Sequence, residues 1–170
     1  MIAAPEVSEY APYYGKYISL VDGNHLTATL EAQTGQSLES LRRISEEKSL
    51  HRYQPDKWSI KEVLGHLIDA ERIFTYRALR FARNDQTPLA GFEQDPYIAA
   101  ANFDLHPWRD LIAEFDHVRR STILFFNGLT PEEAKRSGTA SDAKITVRAL
   151  GYIVAGHELH HMRILKERYL

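Results

Sequence analysis

The stretch KWSIKEVLGHLIDAERIFTYRALRFARND, residues 57–85, carries the clearest helical signal in the chain. Ser59 is followed three residues later by Glu62, which is the spacing of a capping box at a helix N-terminus. Apolar side chains then recur with helical periodicity, at Val63, Leu67, Ile73 and Phe74. The stretch therefore predicts an amphipathic helix that ends near Asn84 and Asp85.

Three further segments have the same periodicity. One runs from about His25 to Ile44, another follows Pro107, and the last begins near Thr146 and runs almost to Leu170. The apolar stripe of the segment after Pro107 consists of Leu111, Phe115, Val118, Thr122, Phe125 and Leu129. Four amphipathic helices of this length predict an all-α fold, a four-helix bundle that forms a single domain over residues 1–170.

The segments between these helices predict one long connection and one polar loop. Residues 85–104 contain two prolines and a glycine, which argue against a continuous helix, although YIAAANF within them could form a turn or two. Connections of this length are uncommon and often functional, so this one is either a packed crossover between the second and third helices or a functional segment. Thr130 starts a short extra helix with its own capping box, residues 137–145 are predicted to be a polar loop, and no strand series is predicted.

The composition excludes several classes of partner. The 21 basic and 23 acidic side chains give a formal net charge of −2, which offers no general attraction to nucleic acid or to an anionic membrane. There is no cysteine, which fits a reducing cytosol. Neither a signal peptide nor a membrane-spanning run of about 20 apolar residues is recognised. We therefore expect a cytoplasmic protein without nucleic-acid or membrane partners.

The histidines near the C-terminus, in HELHH at residues 157–161, are the most informative polar groups. His157 and His161 are four residues apart, so their rings leave one helix face about 6 Å from each other. The same face carries Leu150, Val154 and Leu165. Two imidazoles at this spacing can bind one ion. His66, near the apolar stripe of the helix at 57–85, is the best third ligand, and three histidines with an open position are typical of catalytic zinc sites.

A structural role is the alternative for each of these histidines. A lone inward-facing histidine is more often a satisfied core residue than a ligand, so all three could be structural only. His160 projects about 60° away from the pair and is assigned to packing or to support of a ligand. The remaining histidines are expected on the surface or in loops: His25, His51, His106 and His117.

Glu158 and Arg77 are weaker candidates for chemistry. HELHH matches the H-E-x-x-H helix of zinc proteases, in which Glu158 would be the general base, but too few residues follow His161 to supply a further ligand. Arg77 lies nearly on the face of His66 and could hold an anionic group, although a pair with a carboxylate of a neighbouring helix is the more common role. Asp69 and Glu71 could orient the ligands or form salt bridges.

Two other groups of side chains are given no chemical role. Four tyrosines near the N-terminus could cover the end of the bundle or a dimer surface: Tyr10, Tyr13, Tyr14 and Tyr17. The arginine pairs at 42–43 and 119–120 are interpreted as solvated faces.

Residues 57–85 and the stretch AGHELHHMRILKERYL, residues 155–170, give the chain a resemblance to the DinB/YfiT-like family. His66 stands at the position of that family's helix-two histidine, and His157 and His161 match its H-x-x-x-H pair. The resemblance implies a four-helix bundle in up-down-down-up order, usually a homodimer. It also implies a divalent metal ion, zinc or nickel, held by the three histidines and water.

The same resemblance implies two kinds of function. Some relatives are transferases or isomerases that use a low-molecular-weight thiol such as bacillithiol or mycothiol, so we expect a metal-dependent transferase or hydrolase acting on a small molecule. An open three-histidine metal site can activate water or deprotonate a thiol. A protein without cysteine would take that thiol from a cofactor. The alternative is a non-catalytic metal- or ligand-binding stress protein on the same scaffold.

Overall fold

Residues 2–170, the part of the chain that this computed structural model describes, form α-helices and one short hairpin. The α-helices are α1 (Gly15–Ile18), α2 (Leu26–Arg42), α3 (Glu46–Ser49), α4 (Ile60–Ala82), α5 (Gln94–Ala101), α6 (Trp108–Asn127), α7 (Pro131–Lys135) and α8 (Val147–Ile164). The hairpin consists of β1 (Ser137–Ala140) and β2 (Ala143–Thr146). Single 3-10 turns lie at Val7–Glu9, Pro12–Tyr14 and Phe103–Leu105, and a π-helical turn, Leu165–Tyr169, extends α8.

The four long helices, α2, α4, α6 and α8, are those that the sequence predicts. The capping box of α4 is confirmed, because the Ser59 hydroxyl accepts from the backbone N–H of Glu62 at 3.1 Å while the Glu62 carboxylate accepts from the N–H of Ser59 at 2.7 Å. Asn84, with a φ of 62°, follows the end of this helix. The capping box at Thr130 is also present. None of the helices within residues 2–170 is long and apolar enough to cross a membrane.

Two side-chain contacts show that α4 and α6 run in the same direction. Arg72 donates to Glu114 at 2.7 Å, and further along both helices the hydroxyls of Thr75 and Thr122 are 3.3 Å apart. The residue numbers rise together along both helices. The second and third long helices, α4 and α6, are therefore parallel although they follow each other along the chain.

The α4–α8 and α2–α6 pairs are antiparallel. The Tyr169 hydroxyl, beyond the end of α8, donates at 2.8 Å to the carbonyl of Trp58, before the start of α4. Likewise, the indole N–H of Trp108 at the start of α6 donates at 3.2 Å to the carbonyl of Leu41 near the end of α2. The order is thus up-down-down-up, as predicted.

Parallel α4 and α6 require a connection that returns along the bundle. The 23 residues of α4 span about 35 Å. Residues 83–107 make this return, with α5 in the middle and Ile98 and Phe103 buried against the core. The predicted crossover is confirmed, and its eight-residue α5 is longer than the turn or two expected from the sequence.

The prediction of a polar loop at residues 137–145 is wrong. These residues form the β1–β2 hairpin, whose turn places Ser141 and Asp142 at φ values of 51° and 59°. Two consecutive positive φ angles match the twist of the flanking strands. Leu89 of the crossover adds a parallel bridge to Ala140. Strands of four residues are too short to show a clear alternation in the sequence.

The core has an apolar cluster at each end of the bundle and a polar layer between them. One cluster includes Leu26 of α2 and Phe81 of α4, and the other includes Leu41 of α2 and Leu64 of α4. The polar layer takes one side chain from each long helix: Ser37, Glu71, Arg119 and Glu158.

Ion pairs and hydrogen bonds hold the polar layer together. The Arg119 Nε and Nη2 groups donate to the Glu71 carboxylate at 2.8 to 3.1 Å. Arg119 Nη1 donates to Glu158, whose other oxygen accepts from the Ser37 hydroxyl at 2.5 Å. Burial alone would lower the pKa of Arg119, but the two carboxylates outweigh it and raise that pKa. The guanidinium therefore stays charged inside the core.

The interpretation of Arg119 as a solvated side chain is wrong, since its exposed fraction is 0%. Arg119 lies four residues after Phe115 and three before Thr122, so it falls on the buried stripe of α6. Val118, which the sequence places on that stripe, is only partly buried. Arg120 is exposed, as expected.

Candidate metal centre

Three histidines that are distant in sequence meet between α4 and α8. His66 lies in the second turn of α4, and His157 and His161 lie in the second half of α8. One ring nitrogen of each lies within 4.8 Å of one ring nitrogen of the other two. The Nε2 atoms of His66 and His157, 91 residues apart in sequence, are 3.0 Å apart. Within residues 2–170, no other group of three histidines or carboxylates has this spacing.

Antiparallel packing explains the convergence. The first half of α4 lies beside the second half of α8, so His66 is level with HELHH. The four-residue spacing then brings both histidines of α8 to the face that meets α4. The ring centroid of His66 is 4.9 Å from those of His157 and His161, which are 4.6 Å from each other.

Burial keeps the three imidazoles neutral. It lowers the pKa of His66 to about 4 and that of His161 to about 3, and it lowers the pKa of His157 well below its ordinary value. The neighbouring imidazoles lower the pKa values of His157 and His161 further, since two positive rings would repel each other. At pH 7 each ring therefore has a free lone pair, which is the form that binds a metal ion.

The spacing of the donors fits a single ion. Nitrogens bound tetrahedrally at 2.0–2.1 Å lie about 3.4 Å from one another. The donor separations here run from 3.0 Å to at most 4.8 Å. Small side-chain rotations would bring all three to one ion, and a neutral set of three imidazoles suits zinc, nickel, copper or iron.

Aromatic side chains pack around the imidazoles. The ring centroid of Trp58 is 5.0 Å from that of His66, and the centroids of Tyr17 and Phe74 are 5.2 and 6.0 Å from that of His157. His160 packs on the rings of Tyr17 and His161 and contributes no nitrogen to the cluster. These contacts restrict rotation of the three rings.

A cleft of about 360 Å³ opens over His66 and His157. The N-terminal segment, α4, the crossover and the hairpin turn all contribute to its lining, which includes Tyr13, Tyr14, Tyr17, Ala70, Phe74, Phe92, Glu93, Gln94, Asp95 and Ser141. Three of the N-terminal tyrosines therefore form a wall of this cleft, a position that the sequence analysis did not predict. A ligand of small-molecule size can reach the buried imidazoles through it.

The wall that Tyr17 forms depends on a glycine in α8. A side chain at Gly156 would overlap the backbone carbonyl of Tyr17, whereas Gly35 in α2 has open space at the same position. We expect Gly156→Ala to push α1 off α8 and to lower the free energy of unfolding by about 1–3 kcal/mol. Gly35→Ala, the matched control, should raise it by about 0.5–1 kcal/mol. Urea denaturation measures both, and equal effects of the two substitutions would contradict the close approach.

The two weaker candidates, Glu158 and Arg77, lie outside the cleft lining. Glu158 belongs to the polar layer, so the structure gives it partners other than the three histidines. Arg77 donates to the carbonyl of Ala90 at 2.8 Å and to the Ser141 hydroxyl at 3.1 Å. The expected carboxylate partner of Arg77 is thus wrong, and this side chain ties the crossover to the hairpin turn.

Asp69 and Glu71, the proposed supports for the ligands, also have other surroundings. Glu71 pairs with Arg119, which confirms its interpretation as a salt bridge between helices. Burial raises the pKa of Asp69, whose charged neighbours are Arg72 and Glu114. Neither carboxylate hydrogen-bonds a histidine among residues 2–170.

Comparisons with known proteins agree with this fold. A family model described as the DinB superfamily matches residues 29–165, which include the three histidines. A solved structure, YfiT from Bacillus subtilis, has a TM-score of 0.71 at 16% identity and covers 98% of this chain and 91% of its own. It is described as "a probable metal-dependent hydrolase with an unusual four-helix bundle topology". At this identity the likeness establishes the fold. No curated protein matches the chain by sequence.

Proposed function

The chain belongs to the DinB superfamily, and from this premise and the geometry of its histidines we propose that it is a metal-dependent enzyme. One divalent ion would be held by His66, His157 and His161. The observation that carries the proposal is that three neutral imidazoles converge on one point, and that two of them, His66 and His157, line the floor of a cleft of about 360 Å³. Histidines with a purely structural role would not require access from a cleft.

The chain's own residues prepare this site for chemistry. Burial keeps the donor nitrogens unprotonated, and Trp58, Phe74 and Tyr17 hold the rings and exclude water from one side. A bound divalent ion would act there as a Lewis acid that makes water or a thiol a better nucleophile at neutral pH. Three protein ligands would leave a position open for the reacting molecule. Zinc and nickel are the ions that we propose.

Hydrolysis is the reaction that we place first. Water needs no binding surface beyond the open position, and YfiT, which shares the fold, is described as a probable metal-dependent hydrolase. Transfer to a low-molecular-weight thiol is the second candidate, and it would require the cleft to hold a thiol cofactor, because the chain has no cysteine. The size of the cleft favours a small-molecule substrate. A homodimer in the cytoplasm is proposed from the family resemblance.

Metal analysis tests the metal site directly. Untagged protein is soaked in zinc or nickel and then desalted. We expect it to retain about one equivalent of metal per chain, because three imidazoles that converge on one point bind one ion. Less than about a tenth of an equivalent would support histidines that are structural only.

Zinc should also stabilise the fold. At a free zinc concentration 100 times its Kd, binding to the native state alone adds about 2.7 kcal/mol. For a chain of this length the melting temperature should rise by about 5–10 °C. Differential scanning calorimetry with and without a chelator measures this shift. A melting temperature that zinc leaves unchanged would contradict binding at these histidines.

Turnover separates an enzyme from a metal-binding protein without activity. A panel of small esters, amides and thiol conjugates is incubated with the zinc- or nickel-loaded protein. Hydrolysis or transfer that disappears on chelation and returns with metal supports the enzyme. Full metal occupancy without turnover of any member would favour the non-catalytic alternative.

A further inference from the structure

We propose that the cleft over His66 and His157 selects a ligand with a positively charged ammonium group, so that the substrate of this site is a cationic small molecule. The assignment rests on the proposed function, since it gives a substrate class to the same cleft. It depends on the aromatic walls, on the charges at the rim and on the absence of basic groups from the lining.

Aromatic rings form much of the wall. Five of the lining residues are aromatic: Tyr13, Tyr14, Tyr17, Phe74 and Phe92. The face of such a ring attracts cations through its quadrupole. The chain already contains one example, because the Lys16 ammonium lies 3.9 Å from the ring centroid of Tyr13 and 4.8 Å from that of Tyr17. This contact shows that rings of this wall attract an ammonium group.

Glu93 and Asp95 supply the negative charge. They are the charged side chains in the described lining of the cleft, and both come from the crossover. Neither takes part in a salt bridge or a side-chain hydrogen bond with another of residues 2–170. A cationic group would therefore meet favourable potential at the rim of the cleft.

The nearest basic groups do not offer an anion a binding site. Arg77 is buried behind Phe92, at 5.7 Å from its ring centroid, and its Nη2 group donates to the Ala90 carbonyl and the Ser141 hydroxyl. The Lys16 ammonium faces Tyr13 and is not part of the lining. Away from the ion, a carboxylate or phosphate group at the rim would face two acidic side chains without a basic side chain in the lining.

The arrangement also orients the ligand. Glu93 and Asp95 are exposed and lie on the crossover, while His66 and His157 are buried beneath. An ammonium group held at the rim against Phe92 and the tyrosines would leave the other end of the molecule directed at the imidazoles. The ammonium group of the ligand would then be the part that the cleft recognises, and its uncharged end would be the part that reacts at the histidines.

Three probes with one ring and different charges test the preference: benzyltrimethylammonium, benzyl alcohol and phenylacetate. The titrations use chelator-treated protein, so that phenylacetate cannot bind a metal ion. They follow the heat of binding or the tryptophan fluorescence, to which Trp58 beside His66 contributes. We expect the ammonium probe to bind about tenfold more tightly than benzyl alcohol, and phenylacetate to bind most weakly. Higher ionic strength should lower the affinity of the ammonium probe until it approaches that of benzyl alcohol, and it should leave the affinity of benzyl alcohol unchanged.

Variants locate the preference in the cleft. The exposed pair Glu93→Gln and Asp95→Asn, made together, should reduce ammonium affinity about tenfold and leave benzyl alcohol unchanged. The matched control, Asp22→Asn with Glu31→Gln, removes the same charge from exposed positions outside the cleft lining and should have no effect. Circular dichroism checks that both variants fold.

Three results would overturn the proposal: phenylacetate binding as tightly as the ammonium probe, equal effects of the two double variants, or no detectable ammonium binding. Failure of the proposed function gives a different result. In that case the protein retains no zinc, but the charge preference of the metal-free cleft is unaffected. Conversely, one equivalent of zinc with no charge preference would reject only the cationic substrate class.

Discussion

Replacement of His66 by alanine is expected to abolish stoichiometric metal binding, leaving less than about a tenth of an equivalent after desalting. The two remaining donors, His157 and His161, lie on one helix and cannot close the site from the side of α4. We expect zinc affinity to fall by at least about a hundredfold, more than the loss of a supporting residue usually causes. Competition with a chromogenic chelator measures the affinity, and turnover of any substrate should be lost in parallel.

His160→Ala is the matched control for this variant. His160 lies between the two ligands of α8 and contacts the rings of Tyr17 and His161, but it contributes no nitrogen to the cluster. Its replacement should preserve about one equivalent of metal and change the affinity by less than about tenfold. If His66→Ala kept a full equivalent at the affinity of the unmodified protein, the three-histidine site would be ruled out.

Arg119→Met is expected to be the most destabilising single substitution that we consider, with a loss of about 3–5 kcal/mol in the free energy of unfolding. The change leaves Glu71 and Glu158 buried without their shared cation, and both carboxylates have exposed fractions below 4%. For a chain of this length the melting temperature should fall by about 10 °C or more. Urea denaturation followed by circular dichroism measures the loss.

Two comparisons test the cause of this loss. Arg120→Met removes an exposed arginine that pairs with Asp116 one turn away, and it should cost about 0.5 kcal/mol or less. Arg119→Met combined with Glu71→Gln and Glu158→Gln removes every charge from the layer and should recover much of the stability. A loss below about 1 kcal/mol for Arg119→Met alone would show that the polar layer is not a buried ionic network.

One turn of α8 serves both the metal centre and the polar layer. His157 faces α4 and the cleft, whereas Glu158, about 100° further round the helix, faces Arg119 and Ser37. HELHH therefore matches the zinc-protease helix in sequence but not in the position of its glutamate. The glutamate that would be the base of a protease is here a structural anion in the core.

Features that depend on neighbouring residues could be predicted from the sequence. The capping boxes at Ser59 and Thr130 require only a spacing of three residues, and both form. The shared face of His157 and His161 follows from the helical period alone. The up-down-down-up order was predicted from the family resemblance, because the periodicity of a helix does not predict which other helix packs against it.

Features that depend on small differences in angle or on short segments were missed. Val118 and Arg119 differ by one step around α6, and only the packed bundle shows that the arginine is the inward one. The β1–β2 hairpin has strands of four residues, so its pattern is too short to identify. The tyrosine wall of the cleft could not be predicted, because no helical period links the N-terminal segment to α8.

The sequence by itself determined where the long helices lie and that His157 and His161 share a face, since both follow from the 3.6-residue period within one segment. His66 was already the best third ligand in the sequence, but only the tertiary structure placed it beside the pair. Only the tertiary structure showed that four helices share one ionic layer and that Glu93 and Asp95 of the crossover line the cleft over His66 and His157. Such proximity depends on how whole helices pack. The antiparallel contact of α4 with α8, and the return path forced by parallel α4 and α6, are properties of the assembled bundle and of no single stretch within it.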